Sequence, residues 1–179
     1  MRERTAVRNR RRAQEFESFV AGAAGRLLHA ATLLTAEPLE PAGCNPRAQR
    51  LLLAALSHTY AHWDQRRGDD LYDRTRQELA SRFAAAAWRY HRAAALPAVR
   101  RARRAGRPEH RGGVLERLTP QERLILVLRL YEGVEEEQAA ALLGLPAERV
   151  HSICMRAVAT MRSAPPAVSP APLTEVATR

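Results

Sequence analysis

The sequence predicts an all-α protein, built as an N-terminal three-helix bundle, an arginine-rich linker and a C-terminal helix-turn-helix unit. Three observations carry that expectation. Apolar residues recur at spacings of three and four over most of the chain, as on one buried helix face, and no stretch alternates like a half-buried strand. Between residues 93 and 113 the periodicity gives way to proline, glycine and clustered arginine. Residues 135–153 then place a glycine and a proline between two short helical patterns, where a chain reverses.

Taken in order, residues 1–13 form a basic arm, and residues 14–92 form the first domain. Its first helix is predicted by Phe16, Phe19, Val20, Ala23, Ala24, Leu27, Leu28, Ala31 and Leu34. Residues 36–46 hold three prolines and a glycine, so they read as a long loop. Leu52, Leu53, Leu56, Tyr60 and Trp63 make a second apolar stripe, closed by the turn signal "RRGDD". Tyr72, Thr75, Leu79, Phe83, Ala86 and Tyr90 make a third.

Residues 93–113 are an extended, self-repelling arginine-rich linker. The second domain, residues 114–163, opens on "LTPQERL": Thr119 can cap a helix, Pro120 suits its first position and Glu122 completes a capping box. Leu124, Ile125, Leu128 and Tyr131 form the buried stripe of that helix, which should run to about Glu132 and stop at Gly133. A short helix from Glu135 to Leu143 follows, its leading carboxylates facing the positive end of the helix dipole. Residues 164–179 are rich in proline and poor in large apolar residues, and read as a disordered tail.

In a helix-turn-helix the two helices cross closely, which needs small residues at the crossing and a permissive residue at the turn. Ala139, Ala140 and Gly144 meet those needs, and Leu143, Leu145, Val150 and Ile153 can fill the wedge. Pro146 then starts a helix with Ala147, Glu148, Arg149, His151, Ser152, Met155 and Arg156 on or near its outer face. These are the candidates to reach a DNA groove. A plain helical hairpin has the same elements. The basic context favours DNA: the chain carries a net charge of +10 with a pI near 11.1, all 29 cationic side chains of the Lys/Arg type being arginine.

Other chemistries find little support. Without lysine there is no phosphate-loop lysine and no Schiff base, and no nucleophile elbow or glycine-rich phosphate cradle is present, so the chain is not expected to be an enzyme. His58 and His62 lie one helical turn apart but lack a third ligand, and read as plain solvent-facing histidines; no metal and no cofactor are expected. The two cysteines, Cys44 and Cys154, have neither metal-knuckle spacing nor disulfide-scaffold density. With no signal peptide and no spanning segment in the sequence, the expectation is a soluble, cytoplasmic, nucleoid-associated protein without membrane contact.

The stretch "LTPQERLILVLRLYEGVEEEQAAALLGLPAERVHSICMRAVATMR" resembles region 4 of the sigma-70 superfamily, in the small two-domain extracytoplasmic-function group of actinobacterial type. The resemblance implies binding to the minus-thirty-five promoter element and to the flap of RNA polymerase. "EFESFVAGAAGRLLHAATLLTAEP" and "AQRLLLAALSHTYAHWDQ" resemble the first two helices of region 2, the second of which docks on core polymerase in the family. This implies a polymerase contact at Arg50, Leu52, Leu53 and Leu56, in a stretch where the usual carboxylates are absent. "DDLYDRTRQELASRFAAAAWRYHR" resembles the helix that holds the melted minus-ten strand. Arg74, Arg76, Arg82, Trp88 and Arg89 are its candidates, since bases stack on aromatic rings beside guanidinium groups. The implied function is an RNA polymerase sigma factor, with core RNA polymerase and promoter DNA as partners and an anti-sigma factor as a further candidate. The competing readings are a degenerate sigma-like interaction module and a non-sigma helix-turn-helix regulator.

Overall fold

The computed structural model describes residues 2–38, 45–65, 70–94 and 115–163, and the described residues are helical without a strand. Helix α1 spans Arg2–Thr35, α2 Pro46–Ala61 and α3 Leu71–Ala94, with a 3-10 turn at Trp63–Gln65. The C-terminal half holds α4 (Pro120–Leu126), a π-helical turn (Val127–Tyr131), α5 (Glu136–Leu143) and α6 (Ala147–Arg162). Most of the expected linker and all of the expected tail lie outside the described residues, as do Cys44 and most of the "RRGDD" turn.

The basic arm is not a separate element. Arginine and alanine are good helix formers, and α1 runs unbroken from Arg2, a length of about 51 Å. Only from Phe16 onward does it pack apolar side chains against its neighbours. Leu27 and Leu34 are fully buried there. Burial of such side chains contributes roughly 1.5–3 kcal/mol each.

Helix α1 ends on Ala36, whose φ of 52° is left-handed, a conformation that usually calls for glycine. The turn delivers Glu37 to the start of α2, where its carboxylate accepts the backbone N–H groups of Arg47 at 3.0 Å and Ala48 at 2.7 Å. A helix start without a side-chain cap of its own is thus satisfied by a carboxylate from the preceding element. Asn45 Nδ2 donates to Thr32 Oγ1 at 2.8 Å and ties the same corner from within.

Helix α2 differs from the expected stripe. Its buried residues are Ala48, Leu52, Ala55, Leu56 and Thr59, and Leu53 points outward, 63% exposed. In α3, Thr75, Leu79, Ala80 and Phe83 are buried, while Ala86, expected on the buried stripe, is exposed. The buried Thr59 and Thr75 hydroxyls bond each other at 2.9 Å, so neither is left unpaired.

The C-terminal half closes on Ile125, Val127, Leu128, Val150 and Ile153, all essentially buried. Helix α6 packs on α4 and α5, while α4 packs on α1 and α3. The buried side chains of both halves therefore form one continuous cluster. The helix opened by Thr119 does not stay regular to its end. It widens into the π turn, where the N–H of Glu132 reaches back to the carbonyl of Val127 at 2.9 Å. Within it Leu130 lies exposed, and just beyond it Glu132 is buried.

Candidate nucleic-acid interface

The capping box opens α4 as expected: the N–H of Glu122 donates to Thr119 Oγ1 at 3.3 Å, and the N–H of Thr119 donates to Glu122 Oε2 at 2.9 Å. Glu135 is the N-cap of α5, and Gly133, at φ 68°, turns the chain into it. Ala139 and Ala140 are buried at the crossing with α6. Gly144 sits at φ 65°, and the next N–H, from Leu145, returns to the carbonyl of Ala140 at 3.0 Å. This double-backed helix end sets the sharp exit that the motif requires. Pro146 is the N-cap of α6 rather than its first residue, and helical geometry begins at Ala147.

Helix α6 is strongly two-faced. Val150, Ile153, Cys154 and Ala157 are buried, whereas Glu148, Arg149, His151, Ser152, Met155 and Arg156 are exposed. Ala147 is half-buried against the core. At about 100° per residue, Glu148, Ser152 and Met155 occupy the centre of the exposed face, with Arg149 and Arg156 on one flank and His151 on the other. Met155 is 56% exposed.

The cations on this face differ in their engagement. Arg156 Nε lies 2.8 Å from Glu122 Oε1, and His151 Nδ1 lies 3.1 Å from Glu136 Oε2. Arg149 makes no ion pair among the described residues. Burial pushes the Glu122 carboxyl up. The Thr119 N–H, the Arg156 guanidinium and the Thr119 hydroxyl together outweigh that effect and hold it below its ordinary value. Burial likewise pushes the Cys154 thiol up, which leaves it a packing residue.

Comparison with known proteins agrees with this geometry. Residues 114–163 match the family model "Sigma-70, region 4". The chain is 29% identical over 156 residues to the RNA polymerase sigma-E factor of Streptomyces coelicolor, spanning 83% of this chain and 84% of that one. The RNA polymerase sigma-E factor of Streptomyces avermitilis is likewise 29% identical over 156 residues, at 83% of each chain. Residues 114–163 are thus similar to sigma-70 region 4, and 83% of the chain is similar to RNA polymerase sigma-E factors. A likeness in fold extends to the sigma factor RpoE in its co-crystal structure with the anti-sigma factor NepR from Bartonella quintana, at a TM-score of 0.59 and 18% identity, covering 83% of this chain and 95% of that one.

The remaining candidates are placed unevenly. Leu52 and Leu56 lie inside the bundle, because the core claims that face of α2, and this corrects their expected role as polymerase contacts; Arg50 and Leu53 are exposed. Arg74 lines a cleft with His58, Glu78 and Leu142, and one of its terminal nitrogens is buried without a hydrogen-bond partner among the described residues. Arg76 pairs with Asp73, and Arg82 with Glu78 at 2.6 Å. Arg74 and Arg76 stand about 200° apart around the helix, so the three arginines do not share one face. The side chains of Trp88 and Arg89 lie outside the described residues.

His58 and His62 are half-buried rather than solvent-facing, with ring centroids 4.2 Å apart and His58 3.6 Å from Glu78. Among the described residues no cluster of three His, Cys, Asp or Glu side chains could hold a metal ion, and no helix is long and apolar enough to cross a membrane.

Sequence reasoning missed the polar junction between the halves. Glu132, its side chain 1% exposed, lies 3.6 Å from Arg26 of α1 and accepts the Tyr72 hydroxyl of α3. Tyr131 stacks on His29 at 5.1 Å. The one local hint was a charged residue, Glu132, at the end of an apolar stripe.

Proposed function

We propose that this chain is an RNA polymerase sigma factor of the sigma-70 superfamily, extracytoplasmic-function type, that places α6 in the major groove of the upstream promoter element, while its N-terminal helices, residues 14–92, engage core RNA polymerase and the opened strand. The observation that carries the reading is the exposed polar face of α6, fixed by the Ala139/Ala140 crossing and the left-handed Gly144. On it, Arg149 is the residue best placed for a base edge or phosphate, Ser152 and His151 can add hydrogen bonds, and Met155 offers an apolar contact to a thymine methyl. Glu148 at the centre of the face favours a cytosine amino group over a phosphate.

The polymerase contact is assigned to the outer face of α2, at Arg50 and Leu53. A large apolar side chain exposed beside a cation is an anchor of the kind interfaces use. The opened strand is assigned to α3, through Arg74, Arg82, Trp88 and Arg89. An anti-sigma factor is a further proposed partner. The protein acts as a regulator in the cytoplasm, at the nucleoid, with no catalysis of its own. The test is reconstitution with sigma-free core polymerase on genomic fragments, scored for polymerase binding and for discrete transcripts. Binding without transcripts would instead support an interaction module, and neither would return the chain to an independent DNA-binding regulator.

A further inference from the structure

The first turns of α1 have no part in the assignment above. Arg4, Arg8 and Arg11 follow at spacings of four and three, so they share one face of the helix, while Arg10 stands about 100° or more away from each of them. All four are exposed. Arg11 pairs with Glu15 at 2.8 Å yet keeps a side-chain exposure of 75%. Arg4, Arg8 and Arg10 make no hydrogen bond or ion pair among the described residues.

The root of this segment is clamped. Arg12 lies over the Tyr60 ring at 4.3 Å, donates to the Tyr60 carbonyl and pairs with Asp64 at 3.4 Å. Phe16 packs on Tyr60 at 4.8 Å and edge-on against Trp63 at 5.4 Å, and Trp63 Nε1 donates to Glu15 at 3.4 Å. Beyond that root the helix runs on for about 15 Å with no packing partner among the described residues, so its direction is fixed by the bundle.

The composition of the arm selects its ligand. An acidic protein surface would be expected to meet apolar anchors as well as charge, and a membrane would need an apolar stripe to insert. The arm offers only Val7, singly exposed at 62%. Unpaired guanidinium forks on successive turns match a uniform row of phosphates. We infer that Arg4, Arg8 and Arg11 form a rigid helical arm that grips the phosphate backbone of duplex promoter DNA, a sequence-independent contact separate from α6. The inference rests on the sigma-factor reading.

The test compares full-length wild type with the variant carrying Arg4→Gln, Arg8→Gln and Arg11→Gln, and with the corresponding three-lysine variant. Each is assembled with core polymerase and titrated with a duplex promoter fragment across a salt series. Loss of three phosphate contacts should lower the slope of log K against log salt by about 2–3 and weaken binding roughly tenfold or more near 0.1 M salt. Assembly with core polymerase should not change, and lysine should restore most of the slope. A glutamine variant with wild-type slope and affinity overturns the inference and leaves the sigma-factor reading standing. Impaired assembly with an unchanged DNA slope overturns it in favour of an acidic polymerase surface. If the wild-type complex itself shows no promoter binding, the sigma-factor reading fails and the arm's role falls with it.

Discussion

The phenol of Tyr72 donates to both carboxylate oxygens of Glu132, at 2.9 and 3.1 Å, and so joins α3 of the N-terminal half to the exit of α4 in the C-terminal half. Arg26 reaches the same carboxylate at 3.6 Å and lies over both Tyr72 and Tyr131. A buried carboxylate is tolerated here because a cation and a hydroxyl from the other half compensate it. Tyr72→Phe removes one donor and leaves Glu132 short of a partner. It is expected to lower stability by about 1–3 kcal/mol in urea denaturation.

The same pair sets an alkaline limit. Burial, and then the hydrogen bond to Glu132, push the Tyr72 phenol above its ordinary 10.0, so the fold favours the neutral form. The contribution is fully present below pH 10 and is lost as pH rises beyond it. Above pH 10, the wild type should therefore lose Tm faster than Tyr72→Phe, and equal slopes would remove the linkage.

At the acid end the sign reverses. The Glu122 carboxyl is held below its ordinary 4.5, so the stability it gives α4 is complete above that value and lost as pH falls through the folded pKa. Arg156→Ala should therefore cost stability, about 0.5–1 kcal/mol because its guanidinium is largely exposed and screened by solvent, as well as DNA affinity. Arg149→Ala should leave stability unchanged while reducing the salt slope of duplex binding by about 1. A salt slope unmoved by either change would remove the assigned face from the interface.

Two left-handed residues give opposite predictions. No atom lies within 4 Å of a Cβ placed on Gly144, so Gly144→Ala meets no clash and should cost about 1 kcal/mol through its φ of 65° alone. Ala36, at φ 52°, already bears that strain, and Ala36→Gly should gain a few tenths to about 1 kcal/mol after the greater freedom of the unfolded glycine is subtracted. Chemical denaturation of both variants reads the two signs directly.

The neighbouring leucines of α2 separate fold from contact. Leu52→Asp buries an unpaired charge and should unfold the bundle, whereas Leu53→Asp should leave the unfolding free energy within about 0.5 kcal/mol of wild type and weaken polymerase binding. Folded Leu53→Asp protein with full polymerase affinity would remove α2's outer face from that contact.

What the sequence disclosed was local. Thr119, Pro120 and Glu122 act on one another within a single turn, and Gly144 answers a backbone angle, so the capping box and the turn were legible without any partner. The facing of Leu53 was not: Leu51, Leu52 and Leu53 are consecutive, and three adjacent apolar residues give a helix no phase. The arm was read as separate because it has no apolar stripe, although arginine propagates a helix already nucleated by the packed turns that follow. The Tyr72–Glu132 junction joins residues 60 positions apart and leaves no periodic trace.

The most direct measurement is transcription in vitro from genomic fragments, using the purified chain with sigma-free core polymerase of the same cell. The account predicts discrete transcripts from a small set of promoters, dependent on the chain and reduced by Arg149→Ala. Core polymerase that binds the chain but yields no specific transcript would contradict it.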